Sequence, residues 1–246
     1  MENIFFEIGL NHLGSKKEAI FLIENLLKKK LKLNISIQIR EESFYSQFPE
    51  YELEIEEYFD IIEYCNENEI SFGLSLGPIK DINRYQDVIS RCDFIKLLSI
   101  SVINNEFIKK IQKVFKKTIF LSLGLVNFNN ELVEYSDLLK QKNIIPLYTS
   151  LTHNIQGQNL DNINLIKKYN KTFAYGHHCS HELIFYIAIG FGAKYIFLYV
   201  GDKSKKLPDH EHAFDINNLD VIISKISNCF LAKRVYTQKS MINFLG

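Results

Sequence analysis

Tryptophan is missing from this 246-residue chain, and proline and cysteine occur only four times each. An excess of either charge is missing too: Lys plus Arg number 29 and Asp plus Glu 29, for a formal net charge of +0. A balanced chain has no long-range field to draw nucleic acid or an anionic membrane, so neither is the expected partner. Cys65, Cys92, Cys179 and Cys229 are widely spaced with no CxxC pair. That argues against a paired-cysteine zinc site or a disulfide framework and for free thiols in a reducing cytoplasm. No apolar run reaches the length of a membrane span, and no charged N-terminal segment leads into a long apolar stretch. The expected location is therefore cytoplasmic.

What the chain does have is alternation. Short runs rich in Ile, Phe and Val fall at residues 3–9, 33–39, 70–76, 93–98, 118–123, 144–149, 172–176 and 194–200. Longer amphipathic stretches separate them. The first opens on a Ser15–Glu18 capping box with Ile20, Ile23, Leu26 and Leu27 in a stripe. The others lie near 50–66, 80–90, 104–115, 129–141, 159–168, 179–190 and 215–233. In the stretch 50–66, Tyr51, Ile55, Phe59, Ile62 and Cys65 are the expected inner positions. Eight strand–helix units in about 250 residues predict a single α/β domain over residues 1–246, a closed (β/α)8 TIM barrel. The tail after Lys233 is too short for a second domain.

A barrel gathers the C-terminal ends of all its strands at one mouth, where binding and catalytic groups collect. The polar residues at those ends are Glu7, Asn11 and His12; Ser36 and Gln38; Ser75; Lys96 and Ser99; Ser122; Thr149 and Ser150; and His177 and His178. Strand eight ends in Leu198, Tyr199 and Val200 and offers little, but the loop after it carries Asp202, Asp209, His210 and His212. Glu7 is the anomaly, because a carboxylate inside an apolar strand needs a partner. Lys96 can supply it, either as a structural ion pair or within a reacting site. The cluster His177-His178-Cys179-Ser180-His181 can contribute imidazoles to a metal, or it can finish a strand with one histidine inward and bury an inert thiol. Lys203–Lys206 reads as a solvated loop or as a lid over an anion.

Several stretches resemble the sialic acid synthase family. EIGLNHLGS at 7–15 is similar to its opening motif, FIKLLS at 94–99 to its strand-four motif, IFLSLG at 119–124 to a strand-five motif that reads ILSTG, and LYTS at 147–150 to its strand-six motif. Asn159–Leu160 and the LPDH of 207–210 fit further motifs in order. The resemblance implies a (β/α)8 barrel that condenses phosphoenolpyruvate with an N-acyl amino sugar in nonulosonic acid or surface-carbohydrate biosynthesis, a C–C bond-forming transferase reaction. It implies catalytic roles for Glu7, Asn11 and His12, and phosphoenolpyruvate binding by Lys96, Ser99, Ser122 and Ser150. It further implies sugar contacts from Gln38 and Asp209, and a divalent metal, Mn or Mg, held by His178.

The departures from the family pattern set a second expectation. Ser36 stands where the family has a lysine, Leu123 where it has threonine, and Gly176-His177-His178 where it has Ser-Asp-His. The triplet Glu-Lys-His of strand eight matches Ile196, Phe197 and Leu198, so the second metal-ligand position falls on Leu198. The family's antifreeze-like domain has no counterpart in the sequence. The alternative to an active synthase is thus a degenerate barrel that binds a sugar or serves as a subunit of an active synthase. The expected partners are the two small-molecule substrates, with a second copy or a separate subunit as the protein partner.

Overall fold

The computed structural model describes residues 3–179 and 181–233; the tail beyond Lys233 lies outside the described residues. Eight strands run in parallel: β1 Ile4–Gly9, β2 Asn34–Ile39, β3 Ser71–Leu76, β4 Phe94–Leu97, β5 Thr118–Ser122, β6 Ile144–Thr149, β7 Ala174–Gly176 and β8 Tyr195–Gly201. Each pairs with the next in sequence, and β8 pairs back onto β1, closing the ring. This is the expected (β/α)8 barrel. A two-residue strand, β9 (Phe214–Asp215), adds to the end of β8.

The helices are α1 Lys16–Leu27, α2 Glu42–Tyr45, α3 Ile55–Glu67, α4 Ile82–Arg91, α5 Ser99–Val102, α6 Asn105–Val114, α7 Ser136–Leu139, α8 Asn162–Ile166, α9 Leu183–Phe191 and α10 Leu219–Ala232. Half of the expected capping box forms on α1. Ser15 Oγ accepts from the Glu18 amide at 3.3 Å, while the Glu18 carboxylate pairs with Lys205 instead. That contact also ties down the 203–206 segment, read as a solvated loop or a lid. The helix expected from residue 50 begins later, because Pro49–Tyr51 forms a 3-10 turn and a Glu54–Glu57 capping box starts α3. Its buried face is Tyr58, Ile61, Ile62 and Cys65, so the expected Ile62 and Cys65 are inner, Ile55 and Phe59 are half-buried at the edge of that face, and Tyr51 lies in the turn before the helix. The stretch 129–141 yields only a 3-10 turn and the four-residue α7. There, Asn127 Oδ1 accepts from the Asn129 amide at 3.1 Å and Glu131 Oε2 from the Asn127 amide at 2.9 Å, local bonds that compete with a helix.

Alternate residues of each strand face outward to the helices and inward to the barrel axis. The outward set joins the helices in one core that includes Ile4, Phe6, Ile8, Ile196, Leu198 and Val200. Inward, the N-terminal half is filled by Phe5, Phe94, Phe120, Leu147, Ala174 and Phe197. Phe5 stacks on Phe197 at 4.5 Å and meets Phe94 edge-on at 4.8 Å. Gly73 makes room for this plug, since a Cβ there would lie 2.4 Å from the Phe94 ring. The plug closes one end of the barrel and leaves the C-terminal half as its polar end.

Removing the central ring of this plug leaves a cavity that its neighbours cannot fill. Phe5→Ala is expected to lower the unfolding free energy by about 3–5 kcal/mol, read from the urea midpoint at unchanged m-value.

Candidate functional site at the barrel mouth

Glu7 sits one inward position above Phe5, at 0% exposure, directly over the aromatic plug. Its Oε2 pairs with Lys96 Nζ, and its Oε1 accepts from Gln38 Nε2 at 3.0 Å. The same Gln38 nitrogen donates to the Tyr199 hydroxyl at 3.1 Å. The β1–β8 register sets Glu7 beside Tyr199, and the Lys96 ammonium lies 5.2 Å from the Tyr199 ring centroid. The four side chains form one closed polar cluster. Burial, reinforced by the Glu7 and Asp209 carboxylates, pushes the Tyr199 phenol well above its ordinary pKa, so it stays protonated.

The turn after β1 holds the loop after β8 against this cluster. Gly9 takes φ +60, and a Cβ there would lie 2.9 Å from Asp209 Oδ2 and 3.1 Å from the Tyr199 ring. Only a glycine allows that approach. Asn11 works as a clamp: its Nδ2 donates to the Val200 carbonyl at 3.0 Å, and its Oδ1 accepts from the Asp209 amide at 3.2 Å. Asp209 is raised to about 7 by burial and by the charge of Glu7. His12 Nδ1 accepts from the Gly14 amide at 3.1 Å, which leaves the proton on Nε2; burial holds this imidazole at about 4.

Three imidazoles form a column over the mouth. His178 stacks on His212 at 4.7 Å, and His212 on His153 at 5.2 Å. The Tyr199 ring meets His212 edge-on at 4.5 Å and His178 at 5.2 Å. His153 Nδ1 donates to the His178 carbonyl at 2.8 Å, and Cys179 Sγ donates to the His153 carbonyl at 3.3 Å. Burial lowers His178 well below the usual imidazole range and His212 to about 3. Of the two adjacent histidines at the end of β7, His178 therefore faces the mouth. His177 turns to the helices, stacked on Phe185 at 3.9 Å and hydrogen-bonded to the Tyr175 hydroxyl at 3.2 Å.

A hydroxyl cluster lines the opposite side. Ser99 Oγ and Ser122 Oγ share a hydrogen bond at 2.9 Å. A Cβ at Gly124 would fall 2.7 Å from Ser99 Oγ and 2.8 Å from Thr149 Cγ2, so these groups meet over bare backbone. Ser150 does not join them: its Oγ donates to the Gly157 carbonyl at 2.9 Å. Below, Ser75 Oγ donates to Ser36 Oγ at 3.5 Å.

The structure thus gathers Glu7, Gln38, Lys96, Asp209 and His178 into one region, with Asn11 and His12 in the adjoining turn. Three residues differ from the sequence reading. Leu198 faces the helical core rather than the pocket, because β8 pairs with β1 so that Phe197 and Tyr199 point inward. Tyr199, thought to offer little, is the inward residue at the mouth. His212, expected on a surface loop, is 8% exposed within the histidine column. His153 carried no signal at all, since it lies in a loop beyond a strand end.

The metal implied by the resemblance needs a second histidine beside His178, and the inward side chain there is Tyr199. Among the described residues, no group of three or more His, Cys, Asp or Glu is arranged to hold a metal ion. The residues present do not fit that two-histidine site.

The chain is thus a closed parallel (β/α)8 barrel with a buried charged cluster at its C-terminal mouth. The chain belongs to the NeuB family, whose model matches residues 17–237. No curated protein matches the sequence. Among solved structures, an N-acetylneuraminic acid (sialic acid) synthetase from Leptospira borgpetersenii serovar Hardjo-bovis is similar with 19% identity and TM-score 0.80, over 98% of this chain and 89% of that one. The spore coat polysaccharide biosynthesis protein spsE of Bacillus subtilis is similar with 16% identity and TM-score 0.78, over 96% and 72%. A truncated 3-deoxy-D-arabino-heptulosonate 7-phosphate synthase from Thermotoga maritima follows with 14% identity and TM-score 0.71, over 94% and 88%. At these identities the likeness is one of fold. No helix among the described residues is long and apolar enough to cross a membrane.

Breaking the buried pair from one side strands a charge. Glu7→Gln and Lys96→Met are each expected to cost about 3–5 kcal/mol of stability, and the double variant less than their sum. Additive losses in urea titrations would contradict a coupled pair.

The mouth also sets a pH dependence. His12 is held at about 4 and His177 and His212 at about 3, against 6.5 when unfolded. Below pH 6.5 the unfolded chain takes up protons that the folded chain refuses, so their contribution is complete above 6.5 and is lost as pH falls towards 4. Asp209, raised from 3.8 to about 7, acts in the opposite sense over that window. Three imidazoles outweigh one carboxyl. The urea midpoint is expected to fall between pH 7 and 4.5, with a limiting slope of about 1.4 kcal/mol per pH unit for each excess proton.

Proposed function

We propose that this NeuB-family chain is a cytoplasmic sialic acid synthase-like enzyme of nonulosonic acid or surface-carbohydrate biosynthesis, condensing phosphoenolpyruvate with an N-acyl sugar aldehyde. The observation that carries the reading is a set of buried polar atoms left without partners. They include His12 Nε2, Thr149 Oγ1, Asp209 Oδ2 and both ring nitrogens of His212; Glu18 Oε1, His177 Nε2 and the Tyr186 hydroxyl, on or against the helices, are also without partners. Buried polar groups are rarely left unpaired in a finished fold. Those of His12, Thr149, Asp209 and His212 lie at or after the C-terminal ends of β1, β6 and β8, where a ligand rich in oxygen would satisfy them.

In this reading Lys96 and the Ser99–Ser122 hydroxyls receive the phosphate and carboxylate of phosphoenolpyruvate, since an ammonium and hydroxyls are a suitable cradle for an anion. Ser150 joins them only by giving up its bond to Gly157. Gln38 and Asp209 address sugar hydroxyls. Glu7 neutralises Lys96 before substrate arrives and faces the reacting groups afterwards, and Asn11 positions Asp209. His12, neutral and protonated at Nε2, supplies a hydrogen-bond donor.

A second reading has one observation in its favour. Ser36 replaces the family's lysine and bonds Ser75, so the anion has lost a charged partner worth roughly 1.5–3 kcal/mol. Under that reading the barrel binds a sugar, or serves as a subunit with a second copy or a partner chain.

The deciding experiment incubates the full chain with phosphoenolpyruvate and a panel of N-acyl amino sugars, with and without Mn²⁺, and follows phosphate release. Sugar-dependent release that falls at least 100-fold in Lys96→Met supports the synthase. Sugar binding by calorimetry with no release in any combination moves the assignment to the binding subunit.

A further inference from the structure

The β7–β8 register fixes what stands beside His178. Gly176 pairs with Phe197, and the His177 amide donates to the Phe197 carbonyl at 3.0 Å. Two residues further on, His178 lies against Tyr199, their ring centroids 5.2 Å apart. Two imidazoles at that separation can share one ion, since each ring nitrogen needs to approach it to about 2.0–2.1 Å. Asp209 flanks the same spot, its Oδ2 and the Tyr199 ring both abutting Gly9. Backbone and neighbours thus outline a place for three donors, and a phenol fills the third corner. That phenol is engaged, its oxygen accepting from Gln38 at 3.1 Å. A phenol committed to Gln38 is not free to turn its oxygen to an ion at His178, and its ring occupies the space beside His178 and Gly9.

We infer that Tyr199 closes this barrel to a divalent metal at His178, that a single imidazole at position 199 opens it, and that the wild-type mouth meets a substrate oxygen through the Tyr199 hydroxyl. The phenol has the geometry for that contact. Gln38 donates to its oxygen and its own proton faces the Glu7 carboxylate; a substrate oxygen at the mouth would take that proton in place of Glu7, which keeps its pairing with Lys96. The last part of the inference rests on the reading of the mouth as a substrate site. The metal part does not, so the two fail separately.

The test compares wild type, Tyr199→His and Tyr199→Phe, each dialysed against chelator and shown folded by circular dichroism. Mn²⁺ affinity is measured by calorimetry and by the electron paramagnetic resonance of the bound ion. Wild type and Tyr199→Phe are expected to bind no tighter than millimolar, and Tyr199→His at least 100-fold tighter. His178→Ala added to Tyr199→His should abolish that gain. Stoichiometric metal in purified wild type, micromolar Mn²⁺ affinity in wild type, or no gain in folded Tyr199→His would each overturn the inference. For the hydroxyl, affinity for N-acetylmannosamine should drop about 10-fold in Tyr199→Phe, and an unchanged affinity would remove the phenol from the substrate contact.

Discussion

One buried ion pair organises the mouth of this barrel. Glu7 and Lys96 meet above a floor of phenylalanine rings, where neither charge could exist alone. Each additional contact follows from that placement. The second carboxylate oxygen of Glu7 needs a donor, and Gln38 reaches it from β2. Gln38 in turn places its amide against the Tyr199 hydroxyl on β8. The pair therefore joins β1, β2, β4 and β8 through side chains on the inner face, in addition to the backbone ladder outside it. A like-sized hydrophobic cluster would be as stable or more so; what the ion pair adds is a charge of each sign held at a defined place beneath the mouth.

Much of the fold was legible because a parallel barrel repeats one strong signal. Apolar strands bounded by breakers alternate with amphipathic helices, and all eight strands fall where that pattern put them. The helices failed where side chains compete with the backbone. At Asn127–Glu131, asparagine and glutamate bond to local amides, and no helical stripe can overcome a turn that is already satisfied. In α3, Ile62 and Cys65 are buried as expected, Ile55 and Phe59 sit at the edge of the buried face, and Tyr51 falls in the 3-10 turn before the Glu54 cap.

The site was legible in its members but not in its parity. Glu7, Lys96 and Gln38 announce themselves as polar residues in apolar strands. Strand β8 does not: YIFLYV is apolar on both faces, because one face meets the plug and the other meets the helices. With nothing polar to mark the inner face, Leu198 and Tyr199 are interchangeable on paper, and only the pairing of Glu7 with Tyr199 separates them. His153 was invisible for another reason. Its place in the column depends on a loop folding back so that its ring nitrogen reaches the His178 carbonyl, a contact between residues 25 apart.

That parity changes what the mouth can do chemically. With leucine facing the pocket, the wall beside His178 would be inert and the family's chemistry would simply lack a part. With tyrosine there, the wall carries a donor held protonated by burial and by two carboxylates. Burial, helped by neighbouring imidazoles and Lys96, keeps His178 and His212 neutral, so the column offers hydrogen bonds and ring faces rather than positive charge. Among the described residues, the cation paired with Glu7 is Lys96. An anionic ligand entering this mouth must compete with Glu7 for that ammonium, and a neutral sugar need not. A neutral ligand and an anionic one would therefore make unequal demands on this barrel, and the Lys96–Glu7 pair is what makes them so.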